Sequence, residues 1–388
     1  MKYIYYITRL FRQVVGMPVY LASFVFRRSK EVWVFGEWHG KRYADNAKYL
    51  FEYVSRNHGN IHAVWMSTDR EVIARVRGDG FHACHSRSWR GAAMCLKASV
   101  HFVTHDAGDT NEFFSGGSLL VNLTHGTPLK RIGNDARYAR LGMLTSVFDT
   151  YGATVIPRKR RFDIISCADN IAARRFATAF PSAGKVTGPG YPRWDGLVGS
   201  AKSLPIDAEL GRFSHVISYL PTVRFCNQRP YDPFAITGLY DFMDYLQRND
   251  VLFLVRTHPT VSFENKVPRS ENIMLVDSHL VPDTCDILRR TDLLVTDYSS
   301  VMFDYAMLRR PTLLLAPDRE VYLREDVGIY GDYSTDSLHP IFDDWSQLSG
   351  YLQDNSDVLD RVQDAPAFVE GEASRRIVKY VQHALGPS

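Results

Sequence analysis

The sequence has little cysteine and no cysteine pair. Its five cysteines, Cys84, Cys95, Cys167, Cys226 and Cys285, are odd in number and scattered, with no CxxC spacing. That excludes a zinc ribbon and a disulfide framework, and it points to reduced, mostly buried thiols in a cytosolic setting. No uncharged apolar run reaches about 20 residues, which excludes a polytopic membrane protein. Neither charge sign dominates. The 46 Lys and Arg against 43 Asp and Glu leave a net +3, too little to argue for a nucleic-acid partner. Repeats and low-complexity segments are lacking too. What remains is an ordinary globular composition, 45% apolar and 13% aromatic over 388 residues, at a length that suits two domains with extensions.

The small net charge hides an asymmetry. Residues 1–30 contain Lys2, Arg9, Arg12, Arg27, Arg28 and Lys30, and the first acidic residue is Glu31. Tyr3, Tyr6, Ile7, Leu10, Phe11 and Val14 recur at helical steps, with Arg9, Arg12 and Gln13 on the other side. The uncharged stretch Gln13–Phe26 holds Gly16 and Pro18. It is too short to span a bilayer and lacks a small-residue cleavage site, so neither a membrane span nor a signal peptide is expected. An interfacial anchor on an anionic membrane surface fits this pattern. The alternative is a pair of surface helices packed on the body of the protein.

From Glu31 onward, short apolar runs alternate with helix-like segments. Val32–Phe35, Ile61–Met66, Val100–Thr104, Leu119–Thr124 and Phe162–Cys167 read as buried strands. Asp45–Arg56 and Asp69–Arg77 read as helices, each opening on an Asp that can cap it, and Ala168–Phe180 reads as a third. Residues 198–212 carry no strand-like run and mark a boundary. A second series follows: Val216–Tyr219, Leu252–Val255, Ile273–Val276, Leu293–Thr296 and Thr312–Leu315. Helices are expected at Phe234–Gln247, Thr284–Arg290, Ser300–Leu308 and Glu372–Leu385. The expectation is an α/β protein: a basic segment 1–30, one Rossmann-like domain at 31–205 and another at 206–388 that includes the C-terminal helix. Two such domains facing each other put a ligand cleft between the carboxyl ends of their sheets.

The chemistry-bearing motifs fall at strand ends. In Thr291–Pro311 a strand ends at Asp297 and a helix begins near Ser299 or Ser300. Free backbone N–H groups, a helix dipole and two hydroxyls suit a pyrophosphate there, unless Asp297 or Ser299 merely caps the helix. Val255–Pro259 delivers Arg256 and His258 to the same edge, where a His can contact phosphate or protonate a leaving group. Tyr219–Arg224 adds Thr222 and Arg224. None of these loops is a Walker A or a GxGxxG, so ATPase and dehydrogenase readings are weak. In the first half, Leu123–Gly133 ends a strand at His125, turns at Gly126 and Pro128, and offers Lys130. A general base suits that His; the plainer alternative is a turn histidine beside solvated Lys130 and Arg131. His101 is expected to be a satisfied core residue and His105 to matter less. No carboxylate or Cys cluster makes a metal site with them. Glu37, Lys41, Asp45 and Asn46, in the polar stretch Phe35–Asn46, are placed along the cleft.

The segments FGEWHGKRYADNAKYL, THGTPLK, GYPRWD, YLPTVR, RTHP, TDYSSVMFDYA and DREVYLREDVGIY occur in that order. Together they resemble the CDP-glycerol glycerophosphotransferases, the teichoic-acid primases and polymerases and their capsule-synthesis relatives, over residues 31 to 335. The resemblance implies a GT-B fold held peripherally at the cytoplasmic membrane face. It implies transfer of glycerol phosphate from a CDP-glycerol donor to a hydroxyl of a polyprenyl-linked saccharide or polymer acceptor, with release of CMP. No cofactor and no metal are implied, and homo-oligomer formation stays open. On this resemblance His125 is the base and His258 contacts phosphate. Asp297, Ser299 and Ser300 form the pyrophosphate turn, and Thr222 and Arg224 lie near the nucleotide. The chain's shortness beside a polymerase with membrane-targeting repeats favours primase-like or single-addition chemistry. Three alternatives stay open: a nucleotide-sugar GT-B transferase, a CDP-ribitol-dependent enzyme, and an inactive nucleotide- or polymer-binding protein.

Overall fold

In the computed structural model the described residues are 14–136, 161–199, 202–222, 224, 231–256, 266–333, 339–362 and 372–386. His258, Cys226 and the first thirteen residues, including the expected Tyr3–Phe11 stripe, lie outside them.

Thirteen described strands form two sheets in which every pairing is parallel. The first sheet runs β3-β2-β1-β4-β5-β6-β7. Its strands are β1 (Ser29–Phe35), β2 (His62–Ser67), β3 (Ala83–His85), β4 (Ala98–Val103), β5 (Leu119–Asn122), β6 (Ile164–Ser166) and β7 (Lys185–Thr187). The second runs β10-β9-β8-β11-β12-β13, built from β8 (His215–Leu220), β9 (Val251–Val255), β10 (Ile273–Leu275), β11 (Leu293–Thr296), β12 (Thr312–Leu315) and β13 (Ile341–Phe342). The central strands read as continuous apolar runs because helices cover both faces of a parallel sheet; β4, β9, β11 and β12 are buried throughout. The short strands β3, β7 and β13 are not among those read from the sequence.

Chain order reverses between β1 and β4 in the first sheet and between β8 and β11 in the second. Loops leaving the carboxyl ends of those strands diverge, and ligands bind at such points in open α/β sheets. The first sheet's reversal is followed by the 36–46 and 104–109 loops, the second's by Thr222 and Asp297–Ser300.

The helix Ala373–Ala384, which sequence order assigns to the second domain, packs on the first. Ile377, Val378 and Val381 are buried in one cluster with Trp33, Phe35, Phe51 and Trp65. Its N-terminus is tied there as well: Ala373 and Ser374 donate their backbone N–H groups to Asp195 at 2.9 and 2.8 Å. Position along the chain says nothing about which sheet offers an uncovered apolar face.

The described part of the N-terminal segment packs one face on the body of the protein. Residues 14–22 are helical. Gly16, Tyr20 and Ser23 face inward, Gly16 so close to Phe113 that a Cβ would overlap the ring. Val14, Val15, Val19, Leu21, Phe24, Val25 and Phe26 stay exposed. Arg28 faces inward rather than outward: its guanidinium donates to the carbonyls of Cys95, Ala98, Phe114, Ser23 and Gly116. Four thiols, Cys84, Cys95, Cys167 and Cys285, are free and buried as expected.

Candidate functional site

Register brings the first set of side chains together. Val103 of β4 pairs with Asn122 of β5, so His105 and His125, just beyond, leave the sheet side by side. His125 Nε2 lies 2.8 Å from His105 Nδ1, and His125 Nδ1 lies 2.9 Å from Asp45 Oδ2. A carboxylate only accepts hydrogen bonds, so the His125 ring proton sits on Nδ1. Trp38 packs edge-on against both rings, at 4.8 and 6.3 Å between centroids.

Asp45 does not cap its helix, as its sequence position suggests. The N-cap of Asp45–Asn57 is Ala44, and Asp45 takes φ 56°, turning its carboxylate into the site. Its Oδ1 accepts from Arg193 NH1 at 2.8 Å and from the Asn46 N–H at 2.7 Å. Burial pushes the Asp45 carboxyl up, but Arg193 and then His125 outweigh it and hold the group well below the ordinary range. By contrast Asp69 caps Arg70–Gly78 as expected, accepting from Glu71 and Val72 N–H.

Arg193 continues the network across the two halves. Its Nε and NH2 grip Asp304 at 3.0 and 2.7 Å, and Trp194 Nε1 donates to the same carboxylate at 2.8 Å. Asp304 lies on the helix Val301–Tyr305, which follows Ser299 and Ser300. A continuous path thus runs from the serine turn through Asp304, Arg193 and Asp45 to His125. Gly126 makes room for it: φ is 105°, and a Cβ there would overlap the Arg193 guanidinium. Lys48 of the first half reaches Asp283 of the second at 2.7 Å, and Tyr49 donates to the same carboxylate at 2.9 Å.

In the second half Asp297 is a brace. Its Oδ1 accepts from the N–H groups of Thr222 and Tyr298 at 2.8 and 2.7 Å, and Oδ2 from Arg224 NH1 at 2.7 Å. Arg224 is also forked onto Asp318 and stacked over Tyr231, 3.9 Å from the ring centroid. Its charge is therefore matched inside the protein. Arg256 is likewise engaged, donating to the Val281 carbonyl at 2.6 Å; burial lowers its pKa to about 10. The Thr222 hydroxyl, in contrast, is buried with no partner among the described residues. Ser299 Oγ accepts from Val301 N–H at 3.3 Å, and both serines are partly exposed. The helix after them has only five residues before a 3-10 turn, so hydroxyls and backbone N–H groups, more than a helix dipole, are what this turn presents. Lys130 forms a bridge to Ile329 of the second half. Burial lowers its pKa against the opposing pull of Asp297 and Asp326.

Glu37, Asp45 and His125 bring donor atoms within 4.8 Å of one another, as do His39, Asp106 and Asp109. Both groups are already knit by hydrogen bonds. Glu37 is buried, accepts from Ala44 N–H at 3.0 Å, and has its pKa raised by burial and then by Asp45. Asp109 accepts the N–H groups of His39, Thr104 and His105 at 2.7, 2.8 and 2.8 Å. His101 is the satisfied core residue expected, bonded to Thr110 and the Cys95 carbonyl. Lys41 is exposed, and Asn46 is buried, donating to the carbonyls of Leu123 and Thr124.

The sequence profile of the family described as CDP-Glycerol:Poly(glycerophosphate) glycerophosphotransferase matches residues 19–383. The chain belongs to this family. Among curated relatives, the teichoic acid glycerol-phosphate transferase of Staphylococcus aureus is 27% identical over 385 residues, covering 91% of this chain and 93% of the relative. The teichoic acid poly(glycerol phosphate) polymerase of Staphylococcus epidermidis is 28% identical over 347 residues, covering 85% of this chain. The chain spans about half of that relative's length, 46%. A poly(glycerol phosphate) polymerase of Bacillus spizizenii, 25% identical, is matched over 94% of this chain and 96% of its own, so shortness does not by itself separate single addition from polymerisation. The solved wall teichoic acid polymerase TagF superposes with TM-score 0.72 at 24% identity, over 99% of this chain and 97% of that one. A UDP complex of Staphylococcus aureus MnaA gives TM-score 0.56 at 12% identity, over 92% and 97%. These likenesses establish a GT-B-like fold of two parallel α/β sheets.

Four residues of this candidate cluster were not singled out for it by sequence: His105, Arg193, Asp304 and, as a partner of His125, Asp45. One signal existed. Both β4 and β5 run into the same pair, Thr104-His105 and Thr124-His125. Arg193 lies in the GYPRWD segment, whose role no spacing argument reaches.

Proposed function

We propose that this chain transfers glycerol phosphate from CDP-glycerol to a hydroxyl of a lipid-linked saccharide, teichoic-acid or capsular polymer, releasing CMP. The observation that carries the reading is the His125–Asp45 pair, tied through Arg193 and Asp304 to the serine turn. Asp45 holds the His125 proton on Nδ1 and leaves Nε2 basic, the form a general base needs. Ser299, Ser300, their backbone N–H groups and the unpartnered Thr222 hydroxyl are the donors for the diphosphate, where charge develops on the transferring group. Asp297, Arg224 and Arg256 hold these loops in place. His258, Gly126 and Lys130 complete the proposed set, His258 toward phosphate, Gly126 by admitting Arg193, and Lys130 as a cation that feels the charge of Asp297.

We further propose that the chain works at the cytoplasmic face of the membrane. No helix among the described residues is long and apolar enough to cross a bilayer. The exposed face Val14, Val15, Val19, Leu21, Phe24, Val25 and Phe26 supports contact with a lipid surface.

The test is product analysis with several donors. CMP should be released from CDP-glycerol in step with incorporation of labelled glycerol phosphate into acceptor, and UDP- and GDP-sugars should be inert. Turnover of a nucleotide sugar or of CDP-ribitol in place of CDP-glycerol would overturn the assignment.

A further inference from the structure

We infer that the acceptor proton is received by His105, which relays a proton to His125, so that the base of this chain is a histidine pair. The inference rests on the transferase reading above and adds a residue to its site.

With its proton on Nδ1 toward Asp45, His125 has one lone pair, on Nε2. That lone pair is covered: His105 Nδ1 lies 2.8 Å away, and of two neutral rings in this arrangement His105 must be the donor. The basic nitrogen left to the pair is His105 Nε2. Among the described residues the His105 ring meets His125, Thr104 Oγ1 and Asp109 through Nδ1. The side chain is 27% exposed. Nor is the ring loosely placed. Its backbone N–H is held by Asp109 Oδ2 at 2.8 Å, and Trp38 closes edge-on over its face. An acceptor hydroxyl seeking His125 directly would have to displace it.

The acceptor oxygen forms its bond to the β-phosphorus, and the bond from that phosphorus to the CMP oxygen breaks, CMP leaving with the electron pair. The hydroxyl proton passes to His105 Nε2 while the Nδ1 proton of His105 passes to His125 Nε2. Positive charge comes to rest on His125, whose Nδ1–H faces the Asp45 carboxylate. Burial, then His125 and His39, lower the His105 pKa to about 2. Burial thus disfavours a lasting positive charge on His105.

The experiment compares His105→Ala, His105→Gln and His125→Ala by single-turnover CMP release. The donor is CDP-glycerol, and the probe acceptor is a lipid bearing one terminal glycerol phosphate. Donor binding is followed by calorimetry and folding by circular dichroism. Both His105 variants should lose about 10²–10⁴-fold in rate with donor binding unchanged, and added imidazole should restore part of the loss in His105→Ala. Gln is close to His in size and keeps the fold testable if Ala does not. A His105→Ala rate equal to or above the parent's would overturn the relay and make His105 a cap on the base. A parent enzyme that releases no CMP, or a His125→Ala variant at the parent rate, would overturn the proposed function and the relay with it.

Discussion

Gly126 stands between His125 and Arg193 in a conformation that other residues resist. Around it, Trp38, His39, Asp45 and Thr124 hold φ of 46°, 55°, 56° and 57°, left-handed values that cost on the order of 1–3 kcal/mol each in non-glycine residues. For Thr124, a β-branched residue, the conformation is a true outlier. Thr124 N–H donates to Asn122 Oδ1 at 2.7 Å, and its carbonyl accepts from buried Asn46; these bonds hold the turn that aims His125. Gly126→Ala adds both a strained φ and an overlap with the guanidinium. Urea denaturation should show a loss of on the order of 1–3 kcal/mol, with turnover falling further than donor affinity. Parental stability in that variant would mean that Arg193 is not confined as described.

Among the elements, the N-terminal segment shows how one helix divides its faces. Small residues at 16 and 23 let it lie on the 113–116 loop: Gly16 sits against the Phe113 ring, and Gly116 N–H donates to Ser23 Oγ at 3.0 Å. The opposite side keeps Leu21 59% and Val25 82% exposed. If that face meets lipid, Leu21→Glu with Val25→Glu should leave the fold intact. It should also reduce sedimentation with phosphatidylglycerol vesicles, since two charges replace apolar contact and repel an anionic surface. Parental binding should weaken as salt rises, because the basic residues are screened. Vesicle binding unchanged by both substitutions would remove this face from the interface.

At the scale of the whole molecule, Arg193 is shared between carboxylates from the two halves. Asp45 follows β1, and Asp304 follows β11. Arg193→Met should leave buried Asp304 and half-buried Asp45 without their cation, at a cost of about 3–5 kcal/mol. The sign with pH follows from Asp45. A carboxyl held below its unfolded value contributes stability above about pH 4, and that contribution is lost as pH falls toward its folded pKa. The deficit of Arg193→Met should therefore be largest at neutral pH and shrink on acidification. Denaturation curves of both proteins at neutral and acid pH check this, and a deficit independent of pH would count against the shared pair.

The sequence by itself determined the elements with a period and the turns at their ends. The strands Leu293–Thr296 and Thr312–Leu315 were legible to the residue because buried parallel strands are apolar on both faces. Residues 198–212 showed the gap between the two series of strands, and the ordered motifs from FGEWHG to DREVYL pointed to the family. Sequence also put His125, Thr222 and Ser299 at strand ends, where short local patterns suffice. Tertiary structure decided the partners. Whether Asp45 caps its helix or holds a histidine depends on Arg193, 148 residues away. Whether His105 matters depends on β4 lying beside β5 in a particular register. The C-terminal helix joined the first sheet because that sheet had an apolar face to cover. Pairing across more than a hundred residues is set by packing in space, and no local spacing encodes it.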